Sequence, residues 1–393
     1  MFFVICFESY QMRFVVVNVV MLFWFAKMTG CSISNNEEIL NKAECGCDIK
    51  RYENLGDIYS NDLNDPTTHT QDFRKDSKDN RIMKSPAPMD TFMDNLENVS
   101  NLNEKMVFIL GRVFYMGTKN PVISGDGESP RRTVSVSSFM MDQFEVSNAN
   151  YKEFVDSTRY QTDSEKYGWS FVVDRAVAET TRRSIKSAVQ GAEWWLPVNG
   201  AYWREPEGPG SDVFSKKNDR SSLPAVHISW TDAVRFCSWR NGSRLPTEAE
   251  WELAARGSQD GVVFPWGNKL LTNETHRANI FQGDFPIFNT KADGYEFLAP
   301  VDAFGPQTES GLYNMIGNAW EWVFDWWGID HSDMLGSINI NPTGPQQGTE
   351  KVKKGGSFLC HKSFCYRYRN AARFKSSIDS ATQNVGFRCA KSL

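Results

Sequence analysis

The richest chemistry in this chain is packed into one short stretch near its end: Gly355-Gly356-Ser357-Phe358-Leu359-Cys360-His361-Lys362-Ser363-Phe364-Cys365-Tyr366-Arg367-Tyr368-Arg369. A thiol attacks disulfides and binds metal as the thiolate, and neighbouring cations favour that form. Lys362, Arg367, Arg369 and His361 supply such cations here. The glycine pair ahead of Ser357 lets the backbone turn tightly or approach another group closely. Three readings of Cys360 and Cys365 follow: a structural bridge, half of a zinc site, or a redox or metal centre. Secreted proteins use cysteine mainly for bridges. A closed zinc site needs four ligands at characteristic spacings, and the chain offers no second Cys/His pair. Two further segments carry oxygen donors of the kind a hard cation prefers: Asn279-Ile280 with Asp293-Gly294-Tyr295, and Asn314 through Trp322. Taken alone, these are also ordinary turn residues.

The compartment decides how those thiols are read. Phe14 to Ala26 is apolar except for Asn18, follows Met12-Arg13, and ends near Thr29, Gly30 and Cys31. That is the layout of a secretory signal peptide over residues 1–31, and it is short of the ~20 apolar residues a membrane span needs. Residues 1–11 read as an extension upstream of a start at Met12. Sequons at Asn98, Asn241 and Asn273 fit a secretory route and mark three candidate glycosylation sites. Cys6 and Cys31 fall in the leader, so six of the eight cysteines remain: Cys45, Cys47, Cys237, Cys360, Cys365 and Cys389. Six over so long a chain do not make a disulfide scaffold, so the core must come from burial.

The net charge of −5 gives no basic face for nucleic acid. Residues 32–103 are rich in Asn, Asp, Ser, Lys and Glu and read as a flexible polar arm. Within it, Cys45-Gly46-Cys47 cannot close on itself without severe strain. Those thiols either pair elsewhere, including with another protein, or are simply oxidised in a tail. From residue 104 the pattern changes to a folded domain. Met106 to Gly117 reads as strand, turn, strand, and Thr133 to Met141 as a further strand. Ser147 is an N-cap for a helix through Tyr151, Phe154 and Val155. A second helix starts at Thr231, with Ala233, Val234, Phe236 and Cys237 at helical spacing. Thr247-Glu248-Ala249-Glu250 is a capping box opening a third, closed by Gly257. Beyond it the chain has little periodicity, and its loops need ions, bridges or aromatics to hold them.

Several motifs, in order, resemble the sulfatase-modifying-factor family: Leu245-Pro246-Thr247-Glu248-Ala249-Glu250-Trp251-Glu252, Phe264-Pro265-Trp266-Gly267-Asn268, Gly311-Leu312-Tyr313-Asn314, Gly317-Asn318-Ala319-Trp320-Glu321-Trp322 and Asn384-Val385-Gly386-Phe387-Arg388-Cys389. The likeness covers about 106 to 391. Those motifs carry only the fold, which non-catalytic relatives and iron-dependent sulfoxide synthases share. The Cys360/Cys365 pair in its Ser357 to Arg369 setting is more specific and resembles the formylglycine-generating branch. Trp194-Trp195-Leu196-Pro197-Val198 and Ala278 to Gly283 are similar to its animal members.

The resemblance implies an α+β, C-type-lectin-like fold with little regular secondary structure, and a catalytic domain over residues 104–393. It implies oxidation of the cysteine in a Cys-X-Pro-X-Arg motif of nascent sulfatases to Cα-formylglycine, with molecular oxygen and Cu(I) held by Cys360 and Cys365. Soft thiolates suit that ion. Ser357, His361, Trp320 and Asn384 match positions lining the family's pocket, although Trp320 also suits a packing role. Two structural Ca2+ sites are implied, one of Asn279, Ile280, Asp293 and Tyr295, the other of Asn314, Gly317, Ala319 and Glu321. Cys237 and Cys389 match a family bridge. A further family pair is missing, with Ala255 and Asn370 in its place. Cys45 and Cys47 resemble cysteines that animal members use for retention in the endoplasmic reticulum lumen and for mixed disulfides with thiol oxidoreductases there, some protein being secreted. Two other readings stand beside this one. A non-catalytic, sulfatase-binding relative would lack the thiol pair, and a calcium-dependent lectin has no sugar-site signature here.

Overall fold

The computed structural model describes residues 105–393. The expected signal peptide and polar arm, with Cys45, Cys47 and Asn98, lie outside the described residues.

Fifteen short strands, five α-helices and three 3-10 turns make up the described part, joined by long irregular segments. Strands β1 (Met106–Ile109), β4 (Phe139–Asp142), β15 (Ala390–Ser392) and β7 (Ser243–Arg244) form one antiparallel sheet in that order. Strands β2 (Arg112–Met116), β3 (Arg132–Val136) and β11 (Asn339–Ile340) form a second. Strand pairs β5 (Trp169–Val173) with β6 (Trp195–Asn199), and β8 (Gly283–Asp284) with β9 (Phe288–Asn289), stand apart. The remaining sheet runs β13 (Phe374–Ser377), β12 (Glu350–Lys354), β10 (Trp320–Trp326), β14 (Val385–Phe387).

One sequence expectation changes here. The stretch from Thr133 to Met141 is not one strand. It breaks at Ser137-Ser138, where the Ser138 hydroxyl accepts from the Gly111 N–H, and its halves enter different sheets. The strand, turn, strand reading of Met106 to Gly117 holds, with β1 joining β4 and β2 joining β3. A two-residue link leaves each strand free to take the sheet its apolar face requires.

Helix α1 (Asn148–Thr158) is capped by Ser147, as its sequence predicts, and buries Tyr151 and Phe154. Helices α2 (Asp163–Tyr167) and α3 (Glu179–Arg182) are single turns. Helix α4 (Trp230–Trp239) starts earlier than Thr231. Its N-cap is Ser229, closed reciprocally by Asp232, because Ser229 finds a carboxylate three residues on and Thr231 does not. Helix α5 (Glu248–Arg256) has the expected Thr247/Glu250 box and ends at Gly257. All nine of its residues are buried, acidic ones included. A charged helix can be enclosed only if each charge is paired. Arg373 and Lys354 reach Glu248, Lys354 and Arg256 reach Glu252, and Arg244 reaches Glu250.

The register of the last sheet sets up the site. Glu321 lies opposite Lys354, and Trp320 opposite Val385. The end of β12 therefore meets the starts of β10 and β14. The thiol segment leaves β12 there, and Asn384 enters β14 there.

Candidate active site

Glycine is required where the chain leaves β12. Gly355 has φ +91°, and a Cβ there would stand 2.7 Å from the Met315 carbonyl oxygen. Gly356 has φ +74°, and its Cβ would stand 3.0 Å from Tyr368 Cα. Left-handed backbone and close approach are what glycine permits. The loop then closes on itself. Cys360 N–H donates to the Ser357 carbonyl at 2.9 Å, and Cys365 N–H to the His361 carbonyl at 2.7 Å.

Both thiols are buried, and their sulfurs lie 2.7 Å apart. That is longer than the ~2.05 Å of a disulfide bond, and it brings both sulfurs to one point in the loop. No group of three or more His, Cys, Asp or Glu side chains forms a metal cluster among the described residues, so the zinc reading finds no second half. The donor set is two converging soft sulfurs, which fit a thiophilic ion of low coordination number. The Ser357 N–H donates to Cys360 Sγ at 3.4 Å. Asn384 Nδ2 donates to Ser357 Oγ at 2.9 Å, and the Thr382 hydroxyl fixes that amide by donating to its Oδ1 at 2.7 Å. Ser357 thus stands between Asn384 and the Cys360 sulfur.

The expected cationic setting is not what forms. Arg367 is paired with Asp126, and Arg369 with Glu128, all four side chains buried. Lys362 is exposed. His361 turns its Nδ1 to the Ser363 hydroxyl at 2.7 Å, and burial lowers its pKa. A buried guanidinium must be compensated, and the partners come from 241 residues away, beyond the reach of local sequence. Trp320 is wholly buried, with Lys353 Nζ 5.6 Å and the Phe374 ring 6.1 Å from its own ring. It packs in the core, yet its indole N–H has no hydrogen-bond partner.

Beside the thiols stands a wall of rings that the pocket list from sequence did not include. Phe364, between the two cysteines, stacks on Phe285 at 4.7 Å and meets the Trp194 edge at 4.8 Å. Phe281 joins Phe285 at 5.0 Å and His361 at 6.2 Å. Trp194, Phe285 and Phe364 are only half-buried, so the wall keeps part of its apolar surface toward solvent.

The two cation-site segments come together as neighbours. Asp293 accepts from the backbone N–H groups of Ile280 at 3.1 Å and Tyr295 at 3.0 Å. Asn279 Nδ2 donates to Asn318 Oδ1 at 3.1 Å, and Gly317 packs so tightly on Asn279 that a Cβ would stand 2.5 Å from its carbonyl oxygen. In the second set, Asn314 Oδ1 is buried without a hydrogen-bond partner. Glu321 is heavily committed: Arg388 grips both its oxygens and Trp251 Nε1 donates at 2.7 Å. The carboxylate facing this set is instead Glu145, which the sequence reading missed. It accepts from Asn314 at 2.9 Å, Asn318 at 3.1 Å and the Ala319 N–H at 3.3 Å. Burial, then repulsion from Glu321, raises its pKa to about 8. A carboxylate so placed, beside an unpartnered amide oxygen, fits a cation. Nothing local to Glu145 marks it, since its partners are more than 160 residues distant. These segments also buttress the thiol loop: Phe281 N–H donates to the Cys360 carbonyl, and Phe358 N–H to that of Asn318.

Cys237 and Cys389 form a disulfide spanning 152 residues. Ala255 and Asn370 are both buried. The sequons at Asn241 and Asn273 lie on exposed turns. No helix among the described residues is long and apolar enough to cross a membrane.

A family profile described as sulfatase-modifying factor enzyme 1-like domain matches residues 91–393. The formylglycine-generating enzyme of Bos taurus is 53% identical over 286 residues, covering 73% of this chain and 74% of its own length. That of Thermomonospora curvata is 50% identical, covering 72% of this chain and 92% of its own. An inactive C-alpha-formylglycine-generating enzyme 2 of Bos taurus is 41% identical, covering 72% and 87%. Among solved structures, PvdO from Pseudomonas aeruginosa superposes with a TM-score of 0.51 at 20% identity, covering 74% of this chain and 95% of that one. That likeness concerns the fold alone.

Proposed function

Because the chain belongs to the sulfatase-modifying factor family, we propose that it is a formylglycine-generating enzyme, oxidising the cysteine of a Cys-X-Pro-X-Arg motif in newly made sulfatases. One observation carries this reading: Cys360 and Cys365 are buried together in one loop, with their sulfurs converging to 2.7 Å. Family membership alone does not distinguish it from a non-catalytic relative.

The conversion balances when dioxygen takes four electrons, two from the substrate's CH2–SH carbon and two from a thiol reductant. The products are the aldehyde, hydrogen sulfide, water and the reductant's disulfide. Cys360 and Cys365 are the residues that would hold Cu(I), which supplies the one-electron chemistry with dioxygen. The chain's own groups do the rest. The Ser357 N–H supports charge on Cys360 Sγ. Asn384 and the Leu359 N–H both donate to the Ser357 hydroxyl oxygen, which fixes it as an acceptor. The aromatic wall holds the substrate strand and keeps water off the thiols. The neighbouring cluster around Glu145 and Asn314, with that around Asn279 and Asp293, would take Ca2+ and stiffen the loops under the site. The chain would act in the endoplasmic reticulum lumen, glycosylated at one or more of Asn98, Asn241 and Asn273, with Cys45 and Cys47 available to thiol oxidoreductases.

The test is purified protein, Cu(I) and oxygen with a Cys-X-Pro-X-Arg peptide, read by mass. Formylglycine should appear with wild type and be lost in Cys360→Ser and Cys365→Ser proteins shown to be folded. Near-normal turnover by both variants would overturn the role given to the thiols, and no formylglycine from wild type would overturn the assignment in favour of a binding protein. A melting temperature indifferent to chelator would remove calcium from it.

A further inference from the structure

The two arginines after Cys365 do a different job from the one their proximity to the thiols suggests. Arg367 Nε donates to Asp126 Oδ2 at 2.5 Å and Nη2 to Oδ1 at 3.1 Å. Arg369 Nη1 donates to Glu128 Oε2 at 2.8 Å, and its Nη2 to Oε1. Both pairs are two-pronged, and both span 241 residues. Alternate residues of one segment thus face alternate residues of the other. Between them, Tyr368 packs against the neck of the thiol loop at Gly356 and stacks over Phe264 at 6.4 Å. The Arg367 N–H donates to the Cys365 carbonyl at 2.7 Å, so whatever fixes Arg367 fixes the backbone of Cys365.

The acidic segment is itself rigid. Glu128 is tied through its carbonyl to the Thr118 N–H at 2.9 Å and through Oε2 to the Val122 N–H at 3.3 Å. The Gly127 carbonyl contacts His331 Nε2 at 3.0 Å. A Cβ at Gly127 would stand 2.9 Å from Ile329 Cα.

We propose that Asp126 and Glu128 are positioning residues, which through Arg367 and Arg369 hold Cys365 Sγ opposite Cys360 Sγ. Buried ion pairs are poor sources of net stability, because desolvation offsets attraction. Forked guanidinium–carboxylate pairs do give fixed geometry. Two of them, in register, directly after one member of the thiol pair, set the loop's far side against a rigid support.

The inference rests on the proposed function only in naming Cu(I) as a probe. The test measures two things on folded proteins, well below their melting temperatures: Cu(I) affinity by competition with a colorimetric chelator, and the Cys360–Cys365 thiol–disulfide equilibrium in glutathione buffer. The variants are Glu128→Gln, Asp126→Asn and Arg369→Lys, which keeps the charge but loses the fork. Phe154→Leu, in the core around α1, serves as a matched destabilised control. Loss of a supporting partner should weaken Cu(I) binding about tenfold or more and shift the disulfide equilibrium. Arg369→Lys should fall between, and Phe154→Leu should match wild type. Melting points that fall with both readouts unchanged would make the pairs merely structural and overturn the proposal. Wild type that binds no Cu(I) would instead remove the copper reading, leaving the thiol–disulfide equilibrium to decide the positioning role.

Discussion

Replacing Arg388 with Met tests how this fold tolerates charge in its core. Arg388 and Glu321 are both wholly buried and joined by two donor–acceptor contacts, at 2.8 Å and 2.6 Å. Arg388 also donates to the carbonyls of Asp142 at 3.0 Å, Gln143 at 3.2 Å and Tyr313 at 2.7 Å. Its removal strands Glu321 beside Glu145, another buried carboxylate. Breaking such a pair costs ~3–5 kcal/mol. For a domain of roughly 290 residues, unfolding entropy near ~0.6 kcal/mol/K converts that into a melting-point drop of ~5–8 °C. Arg388→Met/Glu321→Gln removes the stranded charge but leaves carbonyls without their donor, so it should retain a deficit of ~1–3 kcal/mol. The assay is thermal and urea unfolding of wild type, both single variants and the double variant as a cycle. An Arg388→Met protein melting within about 1 °C of wild type would refute the reasoning, as would a double variant as unstable as the sum of the singles.

Three other outcomes are expected. Gly355→Ala meets both a left-handed backbone and the Met315 carbonyl, so it should lose ~1–3 kcal/mol by urea unfolding; a neutral result would mean the loop can shift. Reducing the Cys237–Cys389 bridge should cost up to ~5 kcal/mol on the chain-entropy model, for a loop of 152 residues; peptide mapping that finds both thiols free would remove it. Burial, with Arg132 and Arg373 nearby, lowers the pKa of His331 from 6.5 to about 4. The unfolded chain then binds more protons across that interval, so stability should fall as pH drops from 6.5 to about 4. Asp325, raised to about 7 by burial and then by Glu248, works in the opposite sense, so the effect is read as the difference from His331→Gln. Parallel pH curves for the two proteins would exclude it.

Local signals in the sequence were read well where one segment decides its own shape. The Ser147 and Thr247 boxes are complete within four residues, and both helices begin there. The glycine pair before Ser357 announces a close approach, and both residues are left-handed and tightly packed. The Cys360/Cys365 spacing already placed two thiols within one loop, and the order of motifs identified the fold.

What the sequence by itself could not decide is which distant charge answers each local one. Arg367 and Arg369 beside the thiols look like thiolate-stabilising cations until Asp126 and Glu128 arrive from the far side of the domain and neutralise them. Glu321 gives no local sign of its pairing with Arg388, and Glu145 shows its place only when Asn314 and Asn318 close around it. Thr133 to Met141 looks continuous until two sheets compete for its halves. The physical reason is common to all four. Spacing along the chain fixes helix caps and turns, because their partners lie within a few residues. The pairing of buried charges and the assignment of strands to sheets depend on contacts between segments up to 241 residues apart, and only the folded chain brings those together.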